Sequence, residues 1–164
     1  MYFPYGETEL AYLRRRDRRL GAVNAQTVLA AGVPRLQGLG MTFRKAAYIT
    51  DFAGRVQSGA FDLDAVQRMD DAGAIRALSE LKGIGVWTAE MILLFCMQRP
   101  DVLSYDDLAI RRGLRMVYRH RSIDRALFEK YRRRYSPYGS VASLYLWAVS
   151  GGAIPELSDP APKK

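Results

Sequence analysis

The fold is decided by the stretch Leu81-Lys82-Gly83-Ile84-Gly85-Val86-Trp87-Thr88-Ala89. Apolar residues at helical spacing lie on both sides of it, so the sequence predicts a helix, a tight turn and a second helix. Two glycines allow dihedrals that other residues resist, and they leave the backbone of the turn bare. The amides of the turn and of the following helix then point outward together, which suits one phosphate group. A Gly-x-Gly turn also occurs as a plain tight connection, so the tripeptide alone does not decide the function.

Short helices separated by Gly, Pro and capping residues account for the rest of the chain, and no segment alternates like a strand. The predicted helices cover residues 7–20, 24–31, 43–57, 63–69, 72–81, 86–98, 107–118 and 123–134, with a last one that opens at Ser136-Pro137 and stops at Gly151-Gly152. Residues 34–40 are expected to form a loop. The predicted N-caps are Thr42, Asp62, Asp71, Asp106 and Ser122. The helix from Val86 is apolar nearly all round, so we expect it to be the buried central helix. We expect an all-α, compact helical bundle over residues 1–152 and a mobile tail over 153–164.

The charge balance favours an acidic partner. Lys and Arg number 25 against 17 acids, and most of the basic residues are Arg, which binds phosphate oxygens in a bidentate manner. Such a chain suits nucleic acid, although basic residues that only solvate the surface would give the same balance. One Cys and one His exclude a disulfide framework, a cluster held by the chain's own thiolates, and a His/Cys metal site. Without a signal peptide or an apolar run of membrane length, the expected location is cytoplasmic.

Two further segments accompany the hairpin. The first, Val102-Leu103-Ser104-Tyr105-Asp106-Asp107-Leu108-Ala109-Ile110-Arg111-Arg112, carries an acid pair at the start of a helix. The second runs from Arg134-Tyr135-Ser136-Pro137 to Leu146-Trp147. Together with the hairpin, they resemble the helix-hairpin-helix (HhH-GPD) DNA glycosylase superfamily, in particular bacterial 3-methyladenine DNA glycosylase II. The resemblance implies a nucleoid-associated bacterial protein whose partner is duplex DNA with a flipped-out damaged base.

The resemblance also assigns roles to residues. It makes Asp107 the catalytic carboxylate and leaves Asp106 as the helix cap. The alternative is that both acids only cap the helix or interact with its dipole. The residues that it places at the base pocket are Trp87, Met91, Tyr105, Leu108 and Trp147. The residues that it places at DNA phosphates are Lys82, Gly83, Ile84, Gly85, Val86, Thr88, Arg111 and Arg112. For the two Trp residues, ordinary core packing stays open as an alternative.

The chemistry of base excision fits these residue types. Breaking an N-glycosidic bond makes the sugar resemble an oxocarbenium ion, which a carboxylate stabilises while it orients the attacking water. An alkylated purine is cationic and leaves readily, so an aromatic pocket that favours cations is the main requirement. Trp87 stands where bifunctional relatives carry a Lys nucleophile, so the resemblance implies a monofunctional enzyme. No cofactor is implied, apart from Na+ or K+ held by the backbone carbonyls of Ser79, Leu81 and Ile84.

One block of the resemblance is missing. After Gly21-Ala22-Val23, relatives continue into helices with a Gln-Gln segment that supplies the wedge for base flipping. Here the chain passes directly to Asn24-Ala25-Gln26-Thr27. A bundle without those helices exposes apolar surface, so a homodimer or a partner chain is the expected cover. Three functions therefore stay open: a glycosylase for alkylated purines, an inactive DNA-binding module, and a role in binding acidic protein partners through Arg faces. One such face is expected on the helix 107–118 and consists of Arg111, Arg112, Arg115 and Arg119.

Overall fold

The hairpin lies inside a series of short helices. The computed structural model describes residues 23–161, and within them every regular element is a helix, which confirms the all-α class. The helices are α1 Ala25–Gly38, α2 Phe43–Gln57, α3 Leu63–Arg68, α4 Asp71–Ser79, α5 Val86–Phe95, α6 Leu108–Tyr118, α7 Arg125–Tyr135 and α8 Gly139–Ser150. The predicted helix 7–20 lies outside the described residues. None of the described helices is long and apolar enough to span a membrane.

Side-chain caps start most of these helices, and two of the five predicted caps are confirmed. The Thr42 hydroxyl accepts the Lys45 N–H at the start of α2, and Asp62 accepts the Ala65 N–H before α3. The other three predictions are wrong by one or two positions. The observed caps of α4, α6 and α7 are Asp70, Asp107 and Asp124 in place of Asp71, Asp106 and Ser122. The true cap is the residue that turns extended just before the helix, and the sequence does not rank neighbouring polar residues for that role.

Three more expectations need correction. The break at Gly32, with φ of 64°, is where predicted, but the segment after it is helical through Gly38 and does not form a loop. Its Pro34 fits because the first turn of a helix tolerates proline. Pro137 precedes α8 by two residues and is not its first residue. Helix α5 ends at Phe95, and it is not buried all round, because about half of the Trp87 surface is exposed.

The described chain divides into two compact units. In the first, residues 23–68 and 81–83, helices α1 and α2 pack together around Val28, Leu36, Met41, Ala46 and Ala53.

The second unit, residues 69–80 and 84–161, has a separate core. That core consists of Leu103, Ile110, Leu114, Ile123, Phe128, Tyr131 and Leu146. Helices α6 and α8 approach closely at Gly113, where a Cβ would lie 2.5 Å from the Leu146 carbonyl oxygen. The single domain over residues 1–152 and the mobility of residues 153–164 stay predictions.

Candidate functional site

Asp107 is the N-cap of α6 and is almost fully buried, with 7% of its surface exposed. Its Oδ1 accepts the Ala109 and Ile110 N–H groups, each at 2.9 Å. Its Oδ2 accepts the indole Nε1–H of Trp87, also at 2.9 Å. An ionised carboxylate offers about four lone-pair sites, so these three donors leave about one for another partner. Three N–H donors therefore fix the orientation of a buried acid that retains capacity for a water or a substrate.

The loop that leads to Asp107 is held by hydroxyl and carboxylate groups. From α8, Ser140 Oγ accepts the Val102 N–H at 3.0 Å, and Ser143 Oγ donates to the Val102 carbonyl at 2.8 Å. Asp101 accepts the Gly139 N–H at 3.0 Å, so the loop also caps α8. These bonds fix the backbone of residues 101 and 102 against the start of α8. Hydrogen bonds within the second unit therefore hold this part of the loop in place.

A second acid reaches the same loop from α5. The Ser104 hydroxyl, fully buried, donates to the Glu90 Oε2 atom. Burial raises the pKa of the Glu90 carboxyl, and the bond from Ser104 opposes that rise, while the Asp106 charge adds to it. Sequence reasoning missed Glu90. The signal was present, because Glu90 is the one charged residue in the α5 sequence VWTAEMILLF.

Several of the predicted pocket residues lie along α5. Trp87 and Met91 are four residues apart, as are Met91 and Phe95, so the three share a helix face. Phe95, which the sequence analysis did not single out, stacks on Trp147 of α8 with ring centroids 5.7 Å apart and planes at 11°. Phe95 and Trp87 are about half exposed, so aromatic surface is open at both ends of the face. We call Trp87, Met91 and Phe95, together with the Trp147 ring that stacks on Phe95, the α5 aromatic face.

The other two predicted pocket residues are placed differently. Tyr105 packs edge-on against Phe128, and the guanidinium carbons of Arg111 and Arg125 each lie 4.9 Å from its ring centroid. Leu108 is the first residue of α6 and is 74% exposed, directly after Asp107. Leu108 is therefore available to a ligand beside Asp107, whereas the ring of Tyr105 is already in contact with two cations and the core.

The predicted phosphate residues of the second unit surround the first turn of α5. Gly85 is its N-cap, makes no side-chain cap bond, and has open space where a Cβ would stand. The first amides of a helix have no partner within that helix, so the N–H groups of Val86, Trp87 and Thr88 depend on capping, water or a ligand. Ile84 is half-buried beside them. An uncovered helix N-terminus of this kind attracts anions.

Lys82 and Gly83 belong to the first unit. Gly83 has φ of 85°, and a Cβ on it would overlap the Tyr48 ring, so both conformation and space require glycine. Lys82 Nζ lies 3.2 Å from Asp51 Oδ1, and this bond lowers the pKa of the Asp51 carboxyl. Asp51 also pairs with Arg55. Lys82 is exposed but already has an acidic partner, which a phosphate would have to replace.

The side chains of the predicted Arg face of α6 differ in whether they already have an acidic partner. Arg115 Nε donates to Asp159 Oδ1 at 2.9 Å, and Arg112 Nε lies 3.6 Å from Asp159 Oδ2. The Arg115 guanidinium lowers the pKa of Asp159 to about 2. Arg111 is half-buried, and its Nε atom has no hydrogen-bond partner among the described residues. Arg112, with half of its side chain exposed, is the most accessible of the three.

No cluster of three or more His, Cys, Asp or Glu residues that could hold a metal ion occurs within residues 23–161. The alkali-ion site at the carbonyls of Ser79, Leu81 and Ile84 does not depend on such side chains and stays a prediction.

Comparisons with known proteins agree with the motifs. A profile of HhH-GPD superfamily base excision DNA repair proteins matches residues 8–137. DNA-3-methyladenine glycosylase 1 of Schizosaccharomyces pombe is 32% identical over 117 residues, which cover 70% of this chain and 51% of that protein. The chain therefore spans about half the length of this relative.

Two solved structures share the fold over most of the chain. DNA-3-methyladenine glycosidase from Bacillus halodurans is 29% identical with a TM-score of 0.77, over 93% of this chain and 72% of that one. The Schizosaccharomyces pombe 3-methyladenine DNA glycosylase in complex with abasic DNA is 25% identical with a TM-score of 0.73. That match covers 90% of this chain and 74% of the other.

Proposed function

This chain belongs to the HhH-GPD superfamily of base excision DNA repair proteins, and from that we propose that it is a monofunctional DNA glycosylase that removes alkylated purines from duplex DNA. The relatives named for 3-methyladenine support the substrate class. The observation that carries the proposal is the Asp107 carboxylate, buried and oriented by three N–H donors. A plain cap needs only the two backbone donors, and the indole bond adds an orientation that capping does not require.

The proposed reaction breaks the bond between the C1′ carbon of the sugar and a ring nitrogen of the base. The bonding electron pair leaves with the base, which neutralises the positive charge of an alkylated purine. The sugar becomes an oxocarbenium-like cation, and the negative charge of Asp107 stabilises it. Water then attacks C1′. The free lone pair of Asp107 orients this water or accepts the proton that it loses. The products are a free base and an abasic site.

Base selection in this proposal rests on the α5 aromatic face. A cationic purine gains from contact with electron-rich rings, and indole is the best of the aromatic side chains for this. Trp87 contributes an exposed ring whose nitrogen is held by Asp107, so the acid and the ring are fixed relative to each other. The base must leave the duplex to reach either group, at a cost of a few kcal/mol. Contacts from the first turn of α5 and from exposed Arg side chains to phosphates would offset that cost.

The proposed absence of strand cleavage rests on Trp87, because the resemblance aligns this position with the Lys nucleophile of bifunctional relatives. The proposed enzyme therefore leaves an intact strand with an abasic site, and borohydride should not trap a covalent adduct with DNA. An alkali ion at the hairpin carbonyls, self-association to cover exposed apolar surface, and a cytoplasmic location at the nucleoid are further parts of this proposal.

The test is release of free base from duplex DNA that carries methylated purines, comparing wild type with Asp107→Asn. Asn is as good an N-cap as Asp, so the variant keeps the start of α6 while it loses the charge. Loss of the carboxylate should slow single-turnover excision about 100-fold or more, at unchanged DNA affinity. Tight DNA binding with no release by wild type would reject the enzyme and leave a DNA-binding module.

A further inference from the structure

Two side chains of α5 hold the loop that ends at Asp107. Trp87 donates to Asp107 itself, and Glu90 accepts from Ser104, three residues earlier in the loop. Positions 87 and 90 are three apart on a helix, so they lie on neighbouring parts of one surface. Both bonds lie within the second unit. The loop is thus attached to α5 at two points, one at the acid and one just before it.

The Glu90–Ser104 bond contributes little net stability, because forming it takes an acid and a hydroxyl out of water. Ser104 is fully buried, and Glu90 is half-buried in a helix that is otherwise uncharged. Burial and the neighbouring Asp106 raise the pKa of Glu90 against the opposing bond from Ser104, so this position does not favour a charge. Replacing a buried polar or charged pair by apolar groups of similar volume is often neutral or stabilising. Stability alone therefore gives little reason for an acid at this position.

We propose that Glu90 is a positioning residue for base excision: through Ser104, it holds the loop so that the Asp107 carboxylate keeps its orientation. Glu90 does not touch the substrate in this account. The inference rests on the proposed glycosylase function for its kinetic consequence, but its structural consequence, the geometry of the Trp87–Asp107 bond, is independent of any activity. Displacements of about 1 Å at a reacting group reduce rates by as much as about 100-fold, so a loosened loop should be visible in the chemical step.

The experiment compares four variants with wild type: Glu90→Met, Glu90→Gln, Ser104→Ala and the Glu90→Met/Ser104→Ala double variant. Glu90→Gln retains one oxygen that accepts from the Ser104 hydroxyl, loses the charge, and carries an NH2 group in place of the second oxygen. Glu156→Gln is the matched control, because it makes the same change at an exposed position beyond α8. The measurements are the single-turnover excision rate, the DNA dissociation constant, and the nitrogen–proton NMR signals of the indoles.

Only two indole signals arise, since the chain has two Trp residues, and Trp147→Phe assigns them. We expect Glu90→Met and Ser104→Ala each to slow excision about 10- to 100-fold at unchanged DNA affinity, and to shift the Trp87 indole signal. The double variant should be no slower than the slower of the two single variants, because each single substitution already removes the Glu90–Ser104 bond. Glu90→Gln should restore most of the rate and the wild-type signal, and Glu156→Gln should match wild type in everything.

Multiplying effects in the double variant, or an unshifted Trp87 signal in Glu90→Met, would overturn the proposal. A Glu90→Gln variant as slow as Glu90→Met would overturn it as well, since the charge and not the bond would then matter. If Glu90→Met does not fold, Ser104→Ala tests the same bond with a smaller change. If wild type releases no base, the glycosylase function fails, while the indole signals still decide whether Glu90 positions the loop.

Discussion

Removing the Asp107 side chain should destabilise the fold by an amount that its contacts predict. Asp107→Ala deletes the cap of α6 and leaves the Trp87 indole without its acceptor. The cap contributes about 1–2 kcal/mol, and a hydrogen bond to a charged group about 1 kcal/mol when the donor can still reach water. We therefore expect a loss of about 2–3 kcal/mol in the free energy of unfolding. For a chain of this size, that lowers the melting temperature by about 4–12 °C.

Asp107→Asn should cost half as much or less, for a reason that lies in the geometry. Asn has one acceptor oxygen where Asp has two. With its oxygen on the Ala109 and Ile110 amides, its Nδ2 faces the Trp87 Nε1–H, and both of these groups are donors. Because Trp87 is about half exposed, water can take up its N–H, and the expected loss is about 1 kcal/mol.

Urea unfolding at fixed temperature measures both changes, with Asp106→Ala as the matched control. Asp106 is exposed, and its removal should change stability by no more than about 0.5 kcal/mol. The reasoning would be refuted if Asp107→Ala unfolded like Asp106→Ala, since Asp107 would then not be the cap. It would also be refuted if the Asn and Ala variants were equally unstable, since the retained oxygen would then contribute nothing.

Three further substitutions have expected outcomes. Gly83→Ala should destabilise the fold by about 2–4 kcal/mol in urea unfolding, because a Cβ meets the Tyr48 ring at a positive φ; a neutral effect would contradict that geometry. Gly85→Ala should stay within about 0.5 kcal/mol of wild type, since the space is open, yet weaken DNA binding by covering the amides of α5; equal affinity would argue against a phosphate there. Asp159→Asn should cost about 1 kcal/mol at pH 7 through the lost Arg115 pair. Because the folded pKa of Asp159 is depressed to about 2, the difference from wild type should shrink as pH falls below about 4 and vanish below about 2; a constant difference across that range would contradict the pairing.

Local sequence signals predicted which helices exist, and they were weaker on where the helices begin. Period and breakers located α2, α4 and α6, because an apolar face and a Gly or Pro act within a few residues. The predicted cap of α6, Asp106, is one residue early, because two adjacent acids offer the same chemistry. Pro34 favours a loop in the sequence, but proline is also preferred in the first turn of a helix, which is its place here.

The site was predictable where a motif marked it and not where distant residues meet. The resemblance assigns roles to Asp107 and Trp87, but it does not predict the bond between their side chains. The stacking of Phe95 on Trp147 depends on how α5 and α8 pack, which no local pattern contains. Glu90 carried a local signal, a lone charge in an apolar helix. Its partner Ser104 could not be identified before the loop was placed.

In the proposed reaction, capping and catalysis are compatible roles for Asp107. A helix N-terminus carries about half a positive charge, which by itself would repel a sugar that becomes cationic. The full negative charge of Asp107 outweighs that half positive charge. The helix end together with its cap then carries a net charge of about half a negative unit. A neutral residue there would do more than remove an attraction, because it would restore the repulsion of the helix end. The cap thus fixes the carboxylate, and the carboxylate makes the helix end tolerable to a cation. Asp107→Asn preserves the first of these effects and abolishes the second, so stability and excision should separate most clearly in that variant.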